Sequence, residues 1–342
     1  MTRLVLLGGG HAHALVLLHL RNFVSKNLHV TLVSPGPVHT YSGMVPGVIA
    51  GHYLASDAQI DLSRLAREAG ADFVQGTVVR LDTTAKQAVL GTGDAIAYDY
   101  ASLNLGSTPD GAGGAAIPVK PFAEFFSRWQ GLLEKGPRAP RIAIAGAGAG
   151  GVEIAMAMKY ALERRGKGGT VEIFADRLAF PPGTAVRVEG ALRERSIPLH
   201  LTTTIAPAFD AQFRVTGATA LRLLRECGLK TDEKGFVLVD ASLRSVSHPD
   251  VFAAGDAASL EGTALPKSGV YAVHQAPVLA ENLKRAVRGM AMLDYTPQRA
   301  GLSLISCGGK YAIASRGNWS AEGRWAWWWK NWLDRRWIAR FR

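Results

Sequence analysis

Two glycine clusters in the sequence have the composition of turns that hold the phosphates of a dinucleotide. One occupies residues 8–10 and the other residues 146–151, and each follows an apolar run and precedes a helix-prone segment. This order is typical of a buried strand that leads through a tight turn into a helix. At the N-terminus of that helix, backbone N–H groups and the positive end of the helix dipole can hold a pyrophosphate. The sequence therefore predicts two dinucleotide-binding sites in one chain.

The two clusters match the dinucleotide-binding pattern to different extents. The second contains all three glycines of G-x-G-x-x-G, namely Gly146, Gly148 and Gly151. The first keeps Gly8 and Gly10 but has His13 in place of the third glycine, which normally lets helix and strand pack closely. The second cluster is the stronger prediction, and two matches in the same strand–turn–helix setting favour function over chance.

Two acidic residues follow small-residue turns. Asp256 comes after Val251–Gly255, where a carboxylate can accept hydrogen bonds from hydroxyl groups while a helix N-terminus stabilises its charge. A helix N-cap is a compatible role for the same residue. Glu153 lies just inside the helix predicted after the second cluster, where an acid is also favoured by the helix dipole alone.

Composition indicates an ordinary enzyme of the cytoplasm. The chain has 342 residues, of which 48% are hydrophobic, enough for two domains with their own cores. Cys227 and Cys307 form no C-x-x-C, so neither a disulfide scaffold nor a redox dithiol is predicted. No secretory signal and no apolar run of about 18 residues is present, so we expect a cytoplasmic protein that does not span a bilayer.

The C-terminal segment from Trp325 to Arg342 accounts for much of the net charge of +11. With Arg324 it carries six basic residues against Asp334, and it holds six of the eight tryptophans. On a helix, the apolar residues form one stripe: Trp325, Trp328, Trp329, Trp332, Leu333, Trp337 and Phe341. The opposing side carries Lys330, Asn331, Asp334 and Arg335.

A cationic, tryptophan-rich helix favours the headgroup region of an anionic membrane. We therefore expect peripheral attachment to the inner face of the cell membrane. Docking of this helix on the protein's own core, or on a second subunit in a homodimer, is the alternative. Nucleic acid is not predicted as a partner, because the chain has no nucleic-acid-binding motif.

The remaining pattern divides the chain into four segments. A β-α-β unit is predicted from strand 3–7, helix 12–22 and strand 29–33. The following residues, 35–53, are rich in glycine and proline and are predicted to form an irregular loop. An amphipathic helix is predicted near 61–69. The predicted segments are a first nucleotide domain in two parts, 1–110 and 241–290, a second nucleotide domain, 111–240, and a C-terminal membrane-interface or cap segment, 291–342.

The order of these motifs resembles the FAD-dependent pyridine nucleotide–disulfide oxidoreductase superfamily over nearly the whole chain. The motifs are the first glycine turn, Tyr98-Asp99-Tyr100 with Gly106-Ser107, the second turn with Gly151-Val152-Glu153, and Phe252-Ala253-Ala254-Gly255-Asp256. The missing C-x-x-C and the C-terminal tail resemble type II NADH dehydrogenases and sulfide:quinone reductases. The runs Gly8–Ala14 and Tyr41–Met44 are similar to an NADH-dehydrogenase-like group found beside or fused to selenophosphate synthase.

The resemblance implies an α/β fold with two Rossmann-like dinucleotide-binding domains, of the glutathione-reductase flavoprotein type, and a C-terminal amphipathic extension. It implies FAD in the first domain and NADH or NADPH as substrate in the second. For FAD it implies contacts from Gly8, Gly9, Gly10, His11, Ser34, Pro46, Val78, Gly106, Gly255, Asp256 and Lys267. For the nicotinamide dinucleotide it implies Gly146, Gly148, Gly151 and Asp176.

Two positions depart from the family pattern. Ser34 replaces the acid that usually ends the second strand and binds the adenosine ribose, although a serine can still hydrogen-bond a hydroxyl. In the second unit Ala175 occupies the comparable place, followed by Asp176 and Arg177. An acid favours NADH and an arginine accommodates a 2′-phosphate, so the choice between NADH and NADPH stays open.

The implied reaction is hydride transfer from a nicotinamide to flavin and onward transfer to a quinone-type acceptor, with Glu153 and Lys267 as catalytic residues. The A-Q-x-A-x-Q pattern of type II NADH dehydrogenases is absent at 269–274, whereas Pro266-Lys267-Ser268-Gly269 resembles a run of sulfide:quinone reductases. A sulfide:quinone reductase-like enzyme and a non-catalytic FAD-binding module are therefore the alternatives. No metal is expected, and His11, His13, His39 and His52 are interpreted as turn or surface residues.

Overall fold

The computed structural model of the protein describes residues 1–21, 23–24, 27–111, 116–206, 208–298 and 301–342. The remaining positions, parts of the predicted segments 1–110, 111–240 and 291–342, lie outside the described residues. The strands, numbered in chain order, are β1 (Thr2–Leu7), β2 (Leu28–Ser34), β3 (Val38–Thr40), β4 (Gln59–Asp61), β5 (Asp72–Gln75), β6 (Val78–Asp82), β7 (Gln87–Leu90), β8 (Ala95–Ala97), β9 (Tyr100–Leu103), β10 (Thr108–Pro109), β11 (Ile117–Pro118), β12 (Arg141–Ala145), β13 (Thr170–Phe174), β14 (Leu199–His200), β15 (Ala211–Arg214), β16 (Ala218–Thr219), β17 (Val237–Val239), β18 (Val251–Ala253), β19 (Ala258–Leu260), β20 (Ser303–Ser306), β21 (Ala312–Arg316) and β22 (Trp319–Gly323).

The helices are numbered in the same way. They are α1 (His11–Leu20), α2 (Val45–Ile49), α3 (Leu62–Glu68), α4 (Phe122–Lys135), α5 (Ala149–Arg164), α6 (Pro182–Glu194), α7 (Arg222–Glu226), α8 (Gly269–Val287) and α9 (Arg324–Ile338).

Two parallel sheets organise the molecule. The first has the strand order β18-β9-β1-β2-β5 and the second the order β11-β15-β12-β13-β14. In each sheet every pair of neighbouring strands is parallel. The β1 and β12 strands each lead through a glycine turn into a helix, as the sequence predicts. The predicted α/β class with two Rossmann-like units is therefore confirmed.

Smaller antiparallel units complete the fold. They are the three-stranded sheets β6-β7-β8 and β20-β21-β22 and the pairs β3-β4 and β10-β16. The C-terminal sheet and α9 pack against both main units: Ile305, Cys307 and Ile313 join the core around α5, while Trp337 and Phe341 join the core around β1. The C-terminal segment therefore contributes side chains to both cores.

The chain returns to the first core before residue 241. Leu224, Leu229 and Val237 are buried in the core cluster that contains β1 and α1. The side chain of Cys227, just after α7, is buried in the same cluster, although the sequence places this residue in the predicted second nucleotide domain, 111–240.

The segment 35–53 contains more regular structure than its composition predicts. It forms β3, a 3₁₀ turn over Ser42–Met44 and the short helix α2. Pro46 lies at the start of α2, where its missing N–H is not required by the helix. Val45 and Ile49 are buried in the second core, and this packing stabilises a helix that propensity alone does not predict. The predicted irregular loop is therefore wrong for these residues.

None of the described helices is both long enough and apolar enough to cross a lipid bilayer.

Candidate functional site

The first glycine turn lies at the carboxyl edge of the first sheet and has a backbone that only glycine adopts readily. Gly8 has a φ of +96°, and a Cβ there would lie 2.5 Å from the carbonyl oxygen of Asn104. A Cβ on Gly10 would lie 2.3 Å from the side-chain Oδ1 of the same asparagine. Asn104 Oδ1 also accepts from the N–H of Ala12 at 3.2 Å, and its Nδ2 donates to the carbonyl of Ala254 at 2.9 Å. No motif in the sequence identifies Asn104, whose side chain joins the glycine turn to the ends of β9 and β18.

His13, at the position of the third glycine, is fully buried and not a turn or surface residue as predicted. Its Nδ1 lies 2.6 Å from the carbonyl oxygen of Gly8 and its Nε2 lies 2.8 Å from the hydroxyl of Ser102. Burial lowers the pKa of His13 to about 4, so the ring is neutral at pH 7. Because a carbonyl only accepts, Nδ1 carries the proton and donates to Gly8, and Nε2 accepts from Ser102. The imidazole thus fixes the turn from within the core.

The second glycine turn has the same construction with the regular third glycine. The N–H of Gly146 donates to Phe174 at 2.8 Å, as that of Gly8 donates to Val33 at 2.8 Å. A Cβ on Gly146 would lie 2.4 Å from the carbonyl of Val215, and one on Gly151 would lie 2.0 Å from the carbonyl of Gly146. Only glycine at position 151 therefore lets α5 pack this closely on the turn.

Both turns leave helix N-terminal N–H groups available. Among the described residues, no acceptor lies in hydrogen-bond range of the backbone N–H groups of Gly9, Gly10 and His11. The same holds in the second turn for the N–H groups of Gly148, Ala149 and Gly150. Around Gly148 there is open space, with no heavy atom within 4 Å of a Cβ placed there. Free N–H groups at the positive end of a helix dipole suit an anionic group such as a pyrophosphate.

Several of the residues predicted to contact FAD surround the first turn. A Cβ on Gly9 would lie 2.9 Å from Ser34 Oγ, and the carbonyl of Ser34 accepts from Gly76, two residues before Val78. Gly106 has a φ of +78° and open space around it. Gly255 has a φ of +65°, and its N–H donates to Gln275 at 2.7 Å. Of these glycines, Gly106 has open space around it, whereas a Cβ on Gly9 or Gly255 would meet atoms of the protein itself.

Asp256 lies at the same edge and is paired with a cation that the sequence did not predict. Its Oδ2 accepts from the Ser107 hydroxyl at 3.0 Å and from Lys120 Nζ at 3.1 Å. Lys120 is separated from Asp256 by 136 residues, so no local sequence pattern could have joined them.

A buried ionic cluster lies between α5, the 42–45 turn and α9. Glu153 accepts from the N–H of Ser306 at 2.9 Å and lies 4.0 Å from Lys330 Nζ. Lys330 donates to Asp334 at 3.0 Å and to the carbonyl of Gly43 at 2.8 Å. The hydroxyl of Tyr41 donates to Asp334 at 3.0 Å. Two carboxylates thus share one lysine in a nearly closed environment.

Burial dominates the electrostatics of this cluster. It raises the pKa of Glu153 and of Asp334, although the neighbouring Lys330 charge acts in the opposite direction. Burial alone would lower the pKa of Lys330, but the carboxylates of Asp334 and Glu153 raise it above its ordinary value. Lys330 is therefore charged at neutral pH, and it is the counter-charge for both acids.

A second group of rings adjoins the first turn. His11 Nδ1 lies 3.3 Å from His39 Nε2, and the ring of Trp337 stacks on that of Tyr41 with centroids 4.0 Å apart. Burial, together with the smaller effect of the Lys120 charge, lowers the pKa of His11 to about 4. A Cβ on Gly269, the first residue of α8, would lie 3.7 Å from His11 Nε2. The N-terminus of α8 therefore approaches the first turn.

These features coincide with a known family. The family model described as pyridine nucleotide-disulphide oxidoreductase matches residues 2–216, which include both glycine turns. The chain belongs to the pyridine nucleotide-disulphide oxidoreductase family. This family uses FAD and NAD(P)H, so the predicted family and cofactors are confirmed, and the chain is assigned to NAD(P)H-dependent flavoprotein oxidoreductases.

Individual relatives of the family are distant. The NADH dehydrogenase-like protein YutJ of Bacillus subtilis is 23% identical in an alignment 326 positions long, which covers 87% of this chain and 87% of the relative. The sulfide:quinone oxidoreductase of Aquifex aeolicus superposes with a TM-score of 0.82 at 17% identity, covering 100% of this chain and 92% of the other. The water-forming NADH oxidase of Lactobacillus brevis gives a TM-score of 0.74 at 19% identity, covering 93% and 75%. The two structural likenesses establish the shared fold.

Three other predicted site residues have no described hydrogen bond or ion pair with residues 8–10: Pro46, Asp176 and Lys267. Lys267 donates to the carbonyl of Ala258 and lies 3.9 Å over the ring of Phe236, and burial lowers its pKa to about 8. Pro46 is buried in α2. Asp176 is exposed just after β13, beyond the second turn. Among the described residues, no contact joins Lys267 to the ionic cluster around Glu153, so the two side chains do not form one group.

The structure corrects the predicted orientation of α9. Trp337 and Phe341, predicted on the membrane-facing stripe, are buried, and so is Trp327. Lys330 and Asp334, predicted on the opposing side, point into the ionic cluster. The indoles that remain exposed are those of Trp325, Trp328, Trp329 and Trp332. The helix therefore docks on the protein through one face, as the alternative interpretation held, and presents four indoles on another.

Proposed function

We propose that the protein is an FAD-dependent NAD(P)H dehydrogenase that passes electrons to a quinone-type acceptor at a membrane surface. The observation that carries this proposal is the repetition of one construction on two sheets. In each, a glycine with positive φ ends the strand and unpartnered N–H groups begin the helix. One chain could in this way hold two dinucleotides, one at each turn.

The residues at the first turn fit FAD. The N–H groups of Gly9, Gly10 and His11 would hold the diphosphate, and Asp256 would accept hydrogen bonds from hydroxyl groups of the cofactor. When bound, flavin accepts a hydride from a nicotinamide and passes the electrons onward. The positive N-terminus of α8 begins at Gly269, beside His11, and can stabilise negative charge there.

The second turn fits the nicotinamide dinucleotide. The N–H groups of Gly148, Ala149 and Gly150 would hold its diphosphate, and Asp176 or Arg177 would lie near the adenosine ribose. Both side chains are exposed, so the structure offers a partner for a ribose hydroxyl and one for a 2′-phosphate. The proposal therefore covers NADH and NADPH alike.

Glu153 is proposed to handle protons between the two units. Its carboxyl group lies on α5, five residues after Gly148, and meets the ionic cluster of α9. Because burial raises its pKa, this carboxyl can take up a proton closer to neutral pH than a solvated glutamate. Lys330 holds the deprotonated form in place. Lys267, two residues before α8, is proposed to exchange a proton near pH 8, because burial lowers its pKa to about 8.

The sulfide-oxidising alternative is disfavoured by the thiols. Burial raises the pKa of Cys307 to about 12, so this thiol is protonated at neutral pH and a poor nucleophile. Cys227 is buried in the first core, and burial raises its pKa as well. Neither thiol has the exposed, thiolate-favouring environment that sulfur transfer requires.

Reduction by a nicotinamide is the direct test of the proposed dehydrogenase. Purified protein is expected to be yellow, and anaerobic addition of NADH or NADPH should bleach the flavin absorbance within the dead time of manual mixing. A quinone analogue added afterwards should restore the oxidised spectrum. The measurement is the absorbance near the flavin maximum during each addition.

Other outcomes of this experiment contradict specific parts of the proposal. Bleaching by sulfide and not by either nicotinamide would overturn the dehydrogenase in favour of sulfide oxidation. A yellow protein that neither reductant bleaches would identify a non-catalytic FAD-binding module. Reoxidation by dioxygen or a protein acceptor, with no response to quinone, would remove the quinone from the proposal.

Attachment to the inner face of the cell membrane is proposed from the exposed face of α9. The four exposed indoles lie beside cations, since Arg336 stacks on Trp332 and Lys310 lies 5.6 Å from the ring of Trp328. Indoles and cations together favour an anionic lipid interface. The double variant Trp328→Ser, Trp332→Ser is expected to weaken binding to phosphatidylglycerol vesicles by roughly 100-fold, because each of the two indoles lost from the interface costs on the order of 1.4 kcal/mol.

Trp319 provides the matched control. It is 52% exposed, as Trp332 is 53% exposed, but it lies on β22 and not on α9. Trp319→Ser should leave vesicle binding within about twofold of the unmodified protein. Co-sedimentation with vesicles measures the partition, and size-exclusion chromatography measures the subunit number. Loss of a dimer in the double variant with unchanged vesicle binding would assign the indoles to a subunit interface.

A further inference from the structure

Lys120 belongs to the second unit but reaches a residue of the first. Its backbone follows β11, which pairs with β15 of the second sheet, and the N–H of neighbouring Val119 donates to Arg214 at 3.0 Å. Immediately after it, α4 packs Phe125 and Trp129 into the second core. The ammonium nevertheless lies 3.1 Å from Asp256, next to β18 of the first sheet. Lys120 therefore spans the space between the two sheets.

The ammonium of Lys120 contacts Asp256, and its charge also acts on residues at and beside the first glycine turn. Its charge lowers the pKa of both His11 and His39, after the larger effect of burial. His11 is the first residue of α1, whose free N–H groups form the anion site. The two histidines are neutral at pH 7 because of these lowered pKa values. Lys120 is therefore the full positive charge that the second unit brings to this anion site.

A diphosphate bound at this turn would need such a charge. It carries about two negative charges, and the nearby carboxylate of Asp256 adds a third. The α1 dipole contributes only about half a positive charge. Lys267, the other lysine whose electrostatic partners include Asp256, is turned to the carbonyl of Ala258 and the ring of Phe236.

We propose that Lys120 is the counter-charge for the diphosphate of FAD, supplied across the gap by the second unit. This inference rests on the proposed FAD site at the first turn. Lys120 is half exposed in its ion pair with Asp256, so the side chain is free to turn from the carboxylate to an incoming phosphate. Binding of FAD would then tie the two sheets together through one residue.

The chain contains a closely matched control for this residue. Lys86 Nζ lies 2.9 Å from Asp250, with side-chain exposures of 50% and 15%, whereas the Lys120–Asp256 pair has exposures of 52% and 16%. Both lysines pair with an aspartate flanking β18, but Lys86 lies on the turn between β6 and β7. Lys86→Met removes an equivalent ion pair without touching the glycine turn.

The test measures retention of FAD by the holoprotein, not turnover. Lys120→Met is expected to raise the dissociation constant of FAD by about 10- to 100-fold, the range for one charge-assisted contact, while Lys120→Arg keeps most of the affinity. FAD released on dilution is followed by its fluorescence. Added salt should weaken FAD binding more steeply in the unmodified protein than in Lys120→Met, since the variant lacks one screened attraction.

Each result of this test has a definite meaning. Equal FAD retention in the Lys120→Met and Lys86→Met variants, or equal salt dependence in Lys120→Met and the unmodified protein, would overturn the proposal and leave an ordinary ion pair between the units. An unmodified protein that retains no FAD would instead contradict the proposed function, so the two failures are distinguishable.

Discussion

Replacing Lys330 with methionine is expected to lower the free energy of unfolding by about 3–5 kcal/mol at pH 8, because removal of one partner leaves buried charge uncompensated. Lys330 is the counter-charge for Glu153 and Asp334 and also donates to the carbonyl of Gly43. Methionine keeps most of the side-chain volume, so the loss measures charge and hydrogen bonding and not a cavity. Urea denaturation of the holoprotein gives the difference.

The penalty in this variant should depend on pH with a definite sign. Burial already raises the pKa of Glu153 and Asp334, and loss of the Lys330 charge raises both further. A carboxyl whose pKa is raised in the folded state stabilises the fold below its unfolded pKa, and this contribution is lost as pH rises through the folded value. The difference between variant and unmodified protein should therefore shrink toward pH 5 and grow toward pH 8.

The control for this prediction lies on the same helix. Arg335 is exposed, and its guanidinium donates to Asn331 at 3.1 Å, so Arg335→Met should cost at most about 1 kcal/mol at any pH in this range. The double variant Lys330→Met, Asp334→Asn should regain part of the loss, since it leaves one buried carboxyl instead of two. A pH-independent loss in Lys330→Met, or one as small as that of Arg335→Met, would contradict the ionic interpretation of the cluster.

Local patterns in the sequence carried the prediction of the two nucleotide units. Strand 3–7 corresponds to β1, helix 12–22 to α1 and the helix near 61–69 to α3. These elements are predictable because hydrophobic periodicity and turn-forming glycines are properties of short, contiguous stretches of sequence. The sequence placed residues 241–290 in the first nucleotide domain, but it did not predict that β18 pairs with β9.

The orientation of α9 could not be obtained in the same way. Periodicity identifies an apolar stripe but not which face another element covers. Here the covered face includes Lys330 and Asp334. Their partners are Glu153 and Tyr41 respectively, and both partners are distant along the chain. The predicted apolar stripe therefore does not face one environment: Trp337 is buried against Tyr41, whereas Trp332 is exposed.

Local sequence patterns also could not predict the side chains that complete the candidate site through tertiary contacts. Asn104 caps α1 from β9, and His13 fills the place of the missing glycine by donating to Gly8. Lys120 approaches Asp256 only because the second sheet carries it there. In each case the motif identifies the turn, and tertiary packing determines which residues complete it.

Gly151→Ala is expected to lower the rate of flavin reduction by NADH or NADPH by about 100-fold or more, while the FAD content stays unchanged. A Cβ at this position would lie 2.0 Å from the carbonyl oxygen of Gly146, which is backbone and cannot turn aside. Either α5 moves away from β12 or the turn opens, and a displacement of about 1 Å in a binding element can cost about 100-fold in rate. Stopped-flow absorbance measures the reduction rate, and flavin absorbance gives the FAD content.

Two other glycines separate the effect on the turn from effects on folding. Gly190 lies within α6, and Gly148 directly precedes α5. An added Cβ would meet no other part of the protein within 4 Å at either position. Gly190→Ala should leave reduction unchanged and stabilise its helix by up to about 1 kcal/mol. Gly148→Ala should fold normally but weaken binding of the nicotinamide dinucleotide, because its Cβ projects into the open space where the phosphates are proposed to lie. Should Gly151→Ala fail to fold, Gly148→Ala carries the test, and normal reduction in that variant would show that the second turn is not the nicotinamide site.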